Sequence, residues 1–417
     1  MVTIKSKLFL ICSVILILLS FAILVLKSHN KDIELKKAFS PRGLPSGNHS
    51  KYDISLTMNT EGRFHLESKI LIKNLSDDKW NNLIFYFIPN MFTKNNSPQL
   101  EFPSIVQFDK VAVNGKIVDF SLEKDTLNIP LASKLDHNKE VTVDFSYDFT
   151  LPENGYRFTE KNGNYYLAQF YPMVATYRNH KWNKEKYMTH GETYHTTFSD
   201  FKLSYDIPNE YTLVSTSEND QYPSKNKDGF EVKNVKEVFM AILRKPDVVE
   251  KKEGNINIRI FGNGYDKSLY YDLNETASDS LNYFQKNIGY YPFKQLDIVL
   301  NQMGMEYPGI VTAGSIQNLL QVNPTTLKYM VVHEIAHQWF YAVVNNDPYN
   351  EAWLDEGFAD FAAKLYYFSK NKRNNPFESI PIEQLNLPVN MPLDKYTSNS
   401  SSYIYGKSEV MLWKLFE

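Results

Sequence analysis

Two histidines four residues apart, His333 and His337, with Glu334 directly after the first, lie in the run Asn323–Val344. On a helix, residues four apart sit one above the other on a single face, so two imidazoles can reach one ion at about 2.0 to 2.1 Å. Glu334, one step round such a helix, can face a water held at that ion without being a ligand, which is the place of a general base. After 18 intervening residues comes Glu356, in the stretch Trp353-Leu354-Asp355-Glu356-Gly357-Phe358-Ala359. An antiparallel return can bring its carboxylate back as a third ligand. Two histidines and one glutamate leave a fourth position open, which separates a catalytic from a structural site. The competing reading is two histidines satisfied on a buried helix and a solvated Glu356.

These side chains need two helices to hold them. Asn323 is a good N-cap, Pro324 suits the first helical position, and no breaker interrupts the run, which predicts a helix through Val344. Asn345, Asn346, Asp347 and Pro348 cluster as turn formers, and a second apolar-rich run extends from Glu351 to about Phe368. The expectation is a helical hairpin.

His333-Glu334-x-x-His337, the 18-residue spacing and the surroundings of Glu356 resemble the gluzincin aminopeptidases of the aminopeptidase N type. That resemblance implies Zn2+ held by His333, His337 and Glu356, with Glu334 as the base. Met303-Gly304-Met305-Glu306-Tyr307 is similar to the family's Gly-x-Met-Glu-Asn segment, with Met303 where the first glycine stands and Tyr307 where asparagine stands. It implies that Glu306 holds the substrate's α-amine, with Gly304 and Met305 beside it. Tyr405-Gly406-Lys407-Ser408 is similar to the family's Tyr-x-Lys-Gly, with Ser408 in place of glycine, so Tyr405 would stabilise the oxyanion and Tyr403 is the alternative. Tyr166 to Met173 resembles a strand presented to the active site, with Gln169 near the substrate's first side chain; alternatively Phe170, Tyr171 and Tyr177 are simply core or rim aromatics. Asp360, one turn past Glu356, would accept a hydrogen bond from a ligand histidine or lie on the helix surface. The implied function is a zinc metallopeptidase hydrolysing the amino-terminal peptide bond of peptides. The alternatives are a zinc endopeptidase and a catalytically weakened, membrane-anchored peptidase-like binding protein.

The chain has 417 residues, room for two or three domains and a sizeable core. A net charge of −3 with scattered basic residues gives no footprint for nucleic acid. Cys12 is the only cysteine, so no intramolecular disulfide forms. From Leu8 to Leu26 the sequence is uncharged and long enough to span about 28 Å as a helix, close to the thickness of a bilayer core. This predicts an uncleaved anchor over 1–27 rather than a signal peptide, a single-pass protein of the cell membrane and an extracytoplasmic catalytic part. A polar, Lys-rich tether over 28–50 follows.

Period-two alternation, as in Tyr52, Ile54, Leu56 and Met58, in Val141 to Phe149 and in Phe201 to Ile207, predicts half-buried strands over 51–250. Asn114-Gly115 signals a type I′ hairpin and Asp228-Gly229 another turn. Over 251–417 a strand at Asn255 to Gly262, a helix at Ser268 to Asn287 and a strand ending at Leu300 lead to the Glu306 segment. The fold class implied is α+β multidomain: an N-terminal anchor, a saddle-like β-sheet domain, and a thermolysin-like α/β catalytic domain lacking its C-terminal part. Met411, Leu412, Leu415 and Phe416 form an apolar face near the end, for which a partner chain or separate segment is the expected cover.

Overall fold

The computed structural model describes residues 42–43, 47–189, 191–300, 302–314, 323–372, 375–378, 381–396 and 399–417. The expected anchor lies outside these residues, and among the described ones no helix is long and apolar enough to cross a membrane.

The alternating stretches are strands of a seven-stranded sheet in the order Lys227–Val235, Ser199–Asp206, Asn48–Met58, Arg63–Asn74, Glu140–Thr150, Val106–Val113, Lys116–Ile117. Only the pairing of Asn48–Met58 with Ser199–Asp206 is parallel. Tyr52, Ile54, Leu56, Val143, Phe145, Tyr147, Phe201 and Leu203 all face the core, as one side of a pleated sheet requires. Asn114 and Gly115 both take positive φ, 49° and 77°, between paired Val113 and Lys116, as a type I′ turn requires.

Two expectations need correction. Asp228-Gly229 is not a turn but part of Lys227–Val235, paired with Ser199–Asp206. A Cβ at Gly229 would stand 2.7 Å from the Leu203 carbonyl, so the glycine serves close strand approach rather than chain reversal. The expected tether also ends early: Asn48 begins a strand and is buried, its side chain bonded to the Ala175 carbonyl and the Tyr177 N–H, while Arg42–Gly43 pairs in parallel with Val344–Asn345.

Two four-stranded sheets and the small hairpin of Thr176–Arg178 with Lys181–Asn183 also belong to the β-rich part. One of them, Phe158–Lys161, Asn164–Leu167, Met240–Arg244, Tyr211–Ser215, packs on a five-stranded sheet ordered Asp247–Glu253, Ile256–Gly262, Gln295–Leu300, Ile310–Ala313, Met305–Tyr307. Their shared core holds Tyr166, Phe239, Leu243, Phe261, Val299 and Tyr307, with the Phe239 and Tyr307 rings stacked at 4.1 Å. The hairpin of Asp247–Glu253 and Ile256–Gly262 crosses position 250, so the second sheet draws its edge from the earlier segment.

Helix α1 (Lys267–Asn287) connects the parallel strands Ile256–Gly262 and Gln295–Leu300, burying Leu273, Ala277, Leu281 and Phe284 at helical spacing. Beyond the sheet come α2 (Pro324–Ala336), α3 (Glu356–Lys370) and α4 (Ser408–Phe416). On α4, Leu412 is buried, whereas Met411, Leu415 and Phe416 are exposed.

Candidate active site

Asn323 caps α2 by accepting the Thr325 N–H at 2.8 Å, with Pro324 at the first position. The helix does not run to Val344. It ends at Ala336, and the chain continues in wider turns, Ala342 N–H to His337 O at 3.1 Å and Val344 N–H to Trp339 O at 2.9 Å. One local and one long-range contact accompany the end: the Phe340 carbonyl turns to His337 Nδ1, 3.1 Å away, and the Trp339 indole donates to Gly289 O. His337 stays in helical conformation as the C-cap, so the spacing of the two histidines survives.

The second helix likewise starts late. Ala352–Leu354 is a 3-10 turn, and Asp355 caps α3 by accepting the Glu356 N–H at 2.9 Å, which makes Glu356 the first residue of the helix. The hairpin then brings three atoms together. His333 Nε2 and His337 Nε2 are 3.1 Å apart, and Glu356 Oε2 lies 3.3 Å from the first and 3.2 Å from the second.

The triangle tests whether a metal fits. In a tetrahedral site with bonds of about 2.0 to 2.1 Å, ligand atoms stand about 3.3 to 3.4 Å apart. The His337 imidazole is also hydrogen-bonded from behind, as metal-binding histidines are, and the His333 imidazole has a carboxylate behind it without a hydrogen bond. His337 Nδ1–H faces the Phe340 carbonyl, which can only accept, so its Nε2 presents a bare lone pair; His333 Nδ1 lies 3.5 Å from Asp360 Oδ1. Asp360 is held in turn by the Tyr329 hydroxyl and by Lys364 at 3.3 Å. The donor set is two nitrogens and one oxygen, suited to Zn2+.

The electrostatics follow from burial and these contacts. Burial works against the charge on His333 and His337, but the carboxylates of Asp360 and Glu356 for the first, and of Glu356 for the second, outweigh it and raise both pKa values. Burial also opposes ionisation of Glu356, yet the two imidazoles hold it below the usual range. Glu334 is pushed up to about 7, chiefly by burial and against the pull of His333 and His337. A carboxyl poised there can take up and release a proton near neutrality.

Glu306 lies on the edge strand Met305–Tyr307, and one of its oxygens is within 4.8 Å of ligand atoms of both Glu334 and His337. Gln338, absent from the sequence reading, sets that distance: its amide donates to Tyr307 O at 3.0 Å and accepts the Gly309 N–H at 2.8 Å, fixing the edge strand to the chain just after His337. Gly304 is packed on the Glu334 carboxyl, since a Cβ there would stand 2.3 Å from Glu334 Oε1. The Met305 side chain points away, into the core between the sheets.

The structure separates Tyr405 from Tyr403. Both lie in a single π-helical turn, Ser402–Lys407, leading into α4. The Tyr405 ring centroid is 6.0 Å from that of His333, and its hydroxyl pKa is raised by burial and by the adjacent Glu356 carboxylate. Tyr403 instead stacks on Tyr396 and donates to Asn386.

Gln169 is buried at φ 49°, its amide donating to Tyr194 at 3.0 Å and to Glu237 at 3.2 Å. Phe170, Tyr171 and Tyr177 belong to the core. Around Gln169 is a polar network that sequence reasoning missed: Glu192, Tyr194, Glu237 and Tyr341, with the Lys236 ammonium 3.3 Å over the Tyr341 ring. No local spacing announces it, because its members come from segments far apart in the chain.

Sheet, helical hairpin and a two-histidine, one-glutamate cluster form a scaffold able to hold one metal ion. Residues 271–403 match the peptidase family M1 domain, and the same part of the chain is similar to aminopeptidases. Aminopeptidase 2, mitochondrial, of Saccharomyces cerevisiae is 34% identical over 123 residues, which are 27% of this chain and 13% of that protein. Aminopeptidase N of Streptomyces lividans is 34% identical over 98 residues, 21% of this chain and 11% of the relative. The matched part of the chain thus spans a small fraction of these relatives' length. The fold resembles a variant of a two-domain M1 zinc metallopeptidase bound to L-tryptophan, with a TM-score of 0.59 at 14% identity over 90% of this chain and 84% of the other. The M1 zinc metallopeptidase from Deinococcus radiodurans gives 0.58 at 13% identity over 90% and 83%.

Proposed function

We propose that the chain is a zinc-dependent aminopeptidase that hydrolyses the amino-terminal peptide bond of peptides. The observation that carries this reading is the near-equilateral triangle of His333 Nε2, His337 Nε2 and Glu356 Oε2, with edges of 3.1 to 3.3 Å, beside a buried Glu306. When bound, zinc supplies Lewis acidity to the scissile carbonyl and to a water molecule.

The chain's own residues do the rest. Glu334, with its pKa near 7, takes the proton from the attacking water and delivers it to the leaving amine. Tyr405, neutral because burial and Glu356 keep its proton in place, donates a hydrogen bond to the developing oxyanion. Glu306 receives the α-ammonium, so that only the first peptide bond lies over the reacting groups. The apolar run from Leu8 to Leu26 supports a location at the membrane with the peptidase part outside the cytoplasm; deleting residues 1–27 should release the protein from the membrane fraction.

The test is metal analysis of protein never exposed to chelator, beside a panel of aminoacyl amides and amino-terminally blocked peptides. One zinc per chain with release of the first residue from free-amine substrates alone is the expected result. Absence of zinc would end the reading, and blocked peptides cleaved as fast as free ones would replace it with an endopeptidase.

A further inference from the structure

Behind the site, α3 and the helix that continues from the Tyr405 turn meet at one ammonium. Lys364, on α3, stands 3.3 Å from Asp360 Oδ2, one turn earlier on the same helix, and donates to Glu409 Oε1 on α4. Asp360 is the carboxylate behind His333, its Oδ1 3.5 Å from Nδ1. Glu409 follows Tyr405 by four residues. The Ser402–Lys407 turn runs into α4 without a break, Lys407 and Ser408 both holding helical angles, so a shift of α4 is passed on to Tyr405. One side chain therefore touches both the group behind a histidine of the triangle and the helix that follows the candidate oxyanion donor.

The burial pattern of α4 runs against simple packing. This helix exposes Met411, Leu415 and Phe416 and buries Glu409, which is 1% exposed. A carboxyl taken out of water costs free energy unless a donor meets it; Lys364 is that donor for Oε1, while Oε2 has no hydrogen-bond partner. Charge on Glu409 is not required for the contact. Burial first, and then Asp360, push its pKa up to about 8 against the pull of Lys364, and a carboxyl keeps an acceptor oxygen for the ammonium in either state. What the bond supplies is position.

We propose that Lys364 and Glu409 are a positioning pair for Tyr405, locking α4 on α3 so that the tyrosine hydroxyl is held in place beside His333. Neither residue touches substrate; both act through the tyrosine. A rotation of α4 that broke the bond would leave the carboxyl bare in the interior, which favours the docked arrangement over displaced ones. The inference rests on the aminopeptidase reading with Tyr405 as oxyanion donor, and it assigns a role to two residues that the sequence reading left without one.

The test is kinetic. Lys364→Met and Glu409→Leu each remove one end of the bond and should lower kcat by roughly 10-fold or more, up to the ~10² expected of Tyr405→Phe, with KM and zinc content little changed. Glu409→Gln keeps an acceptor for Lys364 and should recover most of the loss. In a Tyr405→Phe background, Lys364→Met and Glu409→Leu should cost no further kcat, because groups that act only through the tyrosine hydroxyl then have nothing to act on. A contact that only stabilises the fold would lower the melting temperature and leave the kcat of the folded enzyme alone. Should Glu409→Leu fail to fold, Lys364→Met decides, since the Lys364 side chain is 23% exposed and its loss opens no sealed core. Unchanged kcat in the single variants, a full further loss on top of Tyr405→Phe, or loss of zinc would each overturn the proposal. No turnover by the wild-type chain would instead remove the aminopeptidase reading on which it rests.

Discussion

His337 has one usable tautomer, because the Phe340 carbonyl accepts from its Nδ1 and leaves Nε2 bare. Glu334, one residue after His333, is not a corner of the triangle, and on the proposed reading it is the base while Glu356 is a ligand. Glu334→Gln should keep zinc while losing at least ~10² in kcat, whereas Glu356→Gln should lower zinc content itself; equal metal loss in both would refute the division. The tyrosines divide in the same way. Tyr405→Phe should reduce kcat by roughly 10²-fold or more with zinc retained, while Tyr403→Phe, which only loses a hydroxyl bonded to Asn386, should keep its turnover. Matched kcat values for the two variants would remove the assignment of Tyr405. At this scale the sequence is readable where chemistry is local: His333, Glu334 and His337 fall within one helical turn and its cap. Glu192, Tyr194, Glu237 and Tyr341 are not readable, because Tyr194 and Tyr341 meet across 147 positions and each alone is an ordinary residue.

Elements carry these side chains to one another, and α3 packs closely on the turn that bears Tyr405. A Cβ on Gly357 would lie 2.7 Å from Ser408 Cβ and 3.0 Å from the Ile404 carbonyl, so the absent side chain is what lets the turn settle against the start of α3. Ser408, standing where the related segment has glycine, compensates by donating to the Tyr403 carbonyl at 3.0 Å. Gly357→Ala should push the Tyr405 turn outward. Because a displacement of about 1 Å at a catalytic group can cost ~10² in rate, kcat should fall by that order; full activity in Gly357→Ala would show that the contact does not position Tyr405. The helix limits were the least legible part of this region. Pattern alone continues α2 to Val344, but the helix ends at Ala336, where Phe340 O turns back to the C-cap side chain of His337 and the Trp339 indole reaches the distant Gly289 carbonyl. Strands fared better, since a two-residue period with one buried face leaves little freedom of register.

Across the whole molecule, the β-rich part and the five-stranded sheet are joined by an apolar core and by a buried charge cluster that no motif foretold. Arg259 makes two bonds to Asp297, at 2.7 and 2.6 Å, and a third to the backbone carbonyl of Asp220, whose side chain accepts from Ser215 N–H at 2.8 Å. Two carboxylates share one guanidinium, leaving an excess negative charge in the interior. Asp220 accordingly has its pKa pushed up to about 7, first by burial and then by the charge of Asp297, against the pull of Arg259. An acid whose folded pKa lies above its unfolded value binds its proton more tightly when folded, so its contribution is present at low pH and is lost as pH rises through about 7. Asp220→Asn keeps an acceptor for Ser215 and removes the excess charge. The variant should therefore melt above the wild type at pH 8, by roughly 1 to 2 °C for each ~1 kcal/mol regained, and the difference should shrink as pH falls from about 7 and vanish only below the ordinary aspartate value of 3.8, where the wild-type carboxyl is protonated in both states. Thermal unfolding across that range measures it. Equal melting temperatures at pH 8, or an advantage that grows as pH falls, would mean that Asp220 holds its charge at the joint between the two sheets and that Arg259 neutralises both carboxylates.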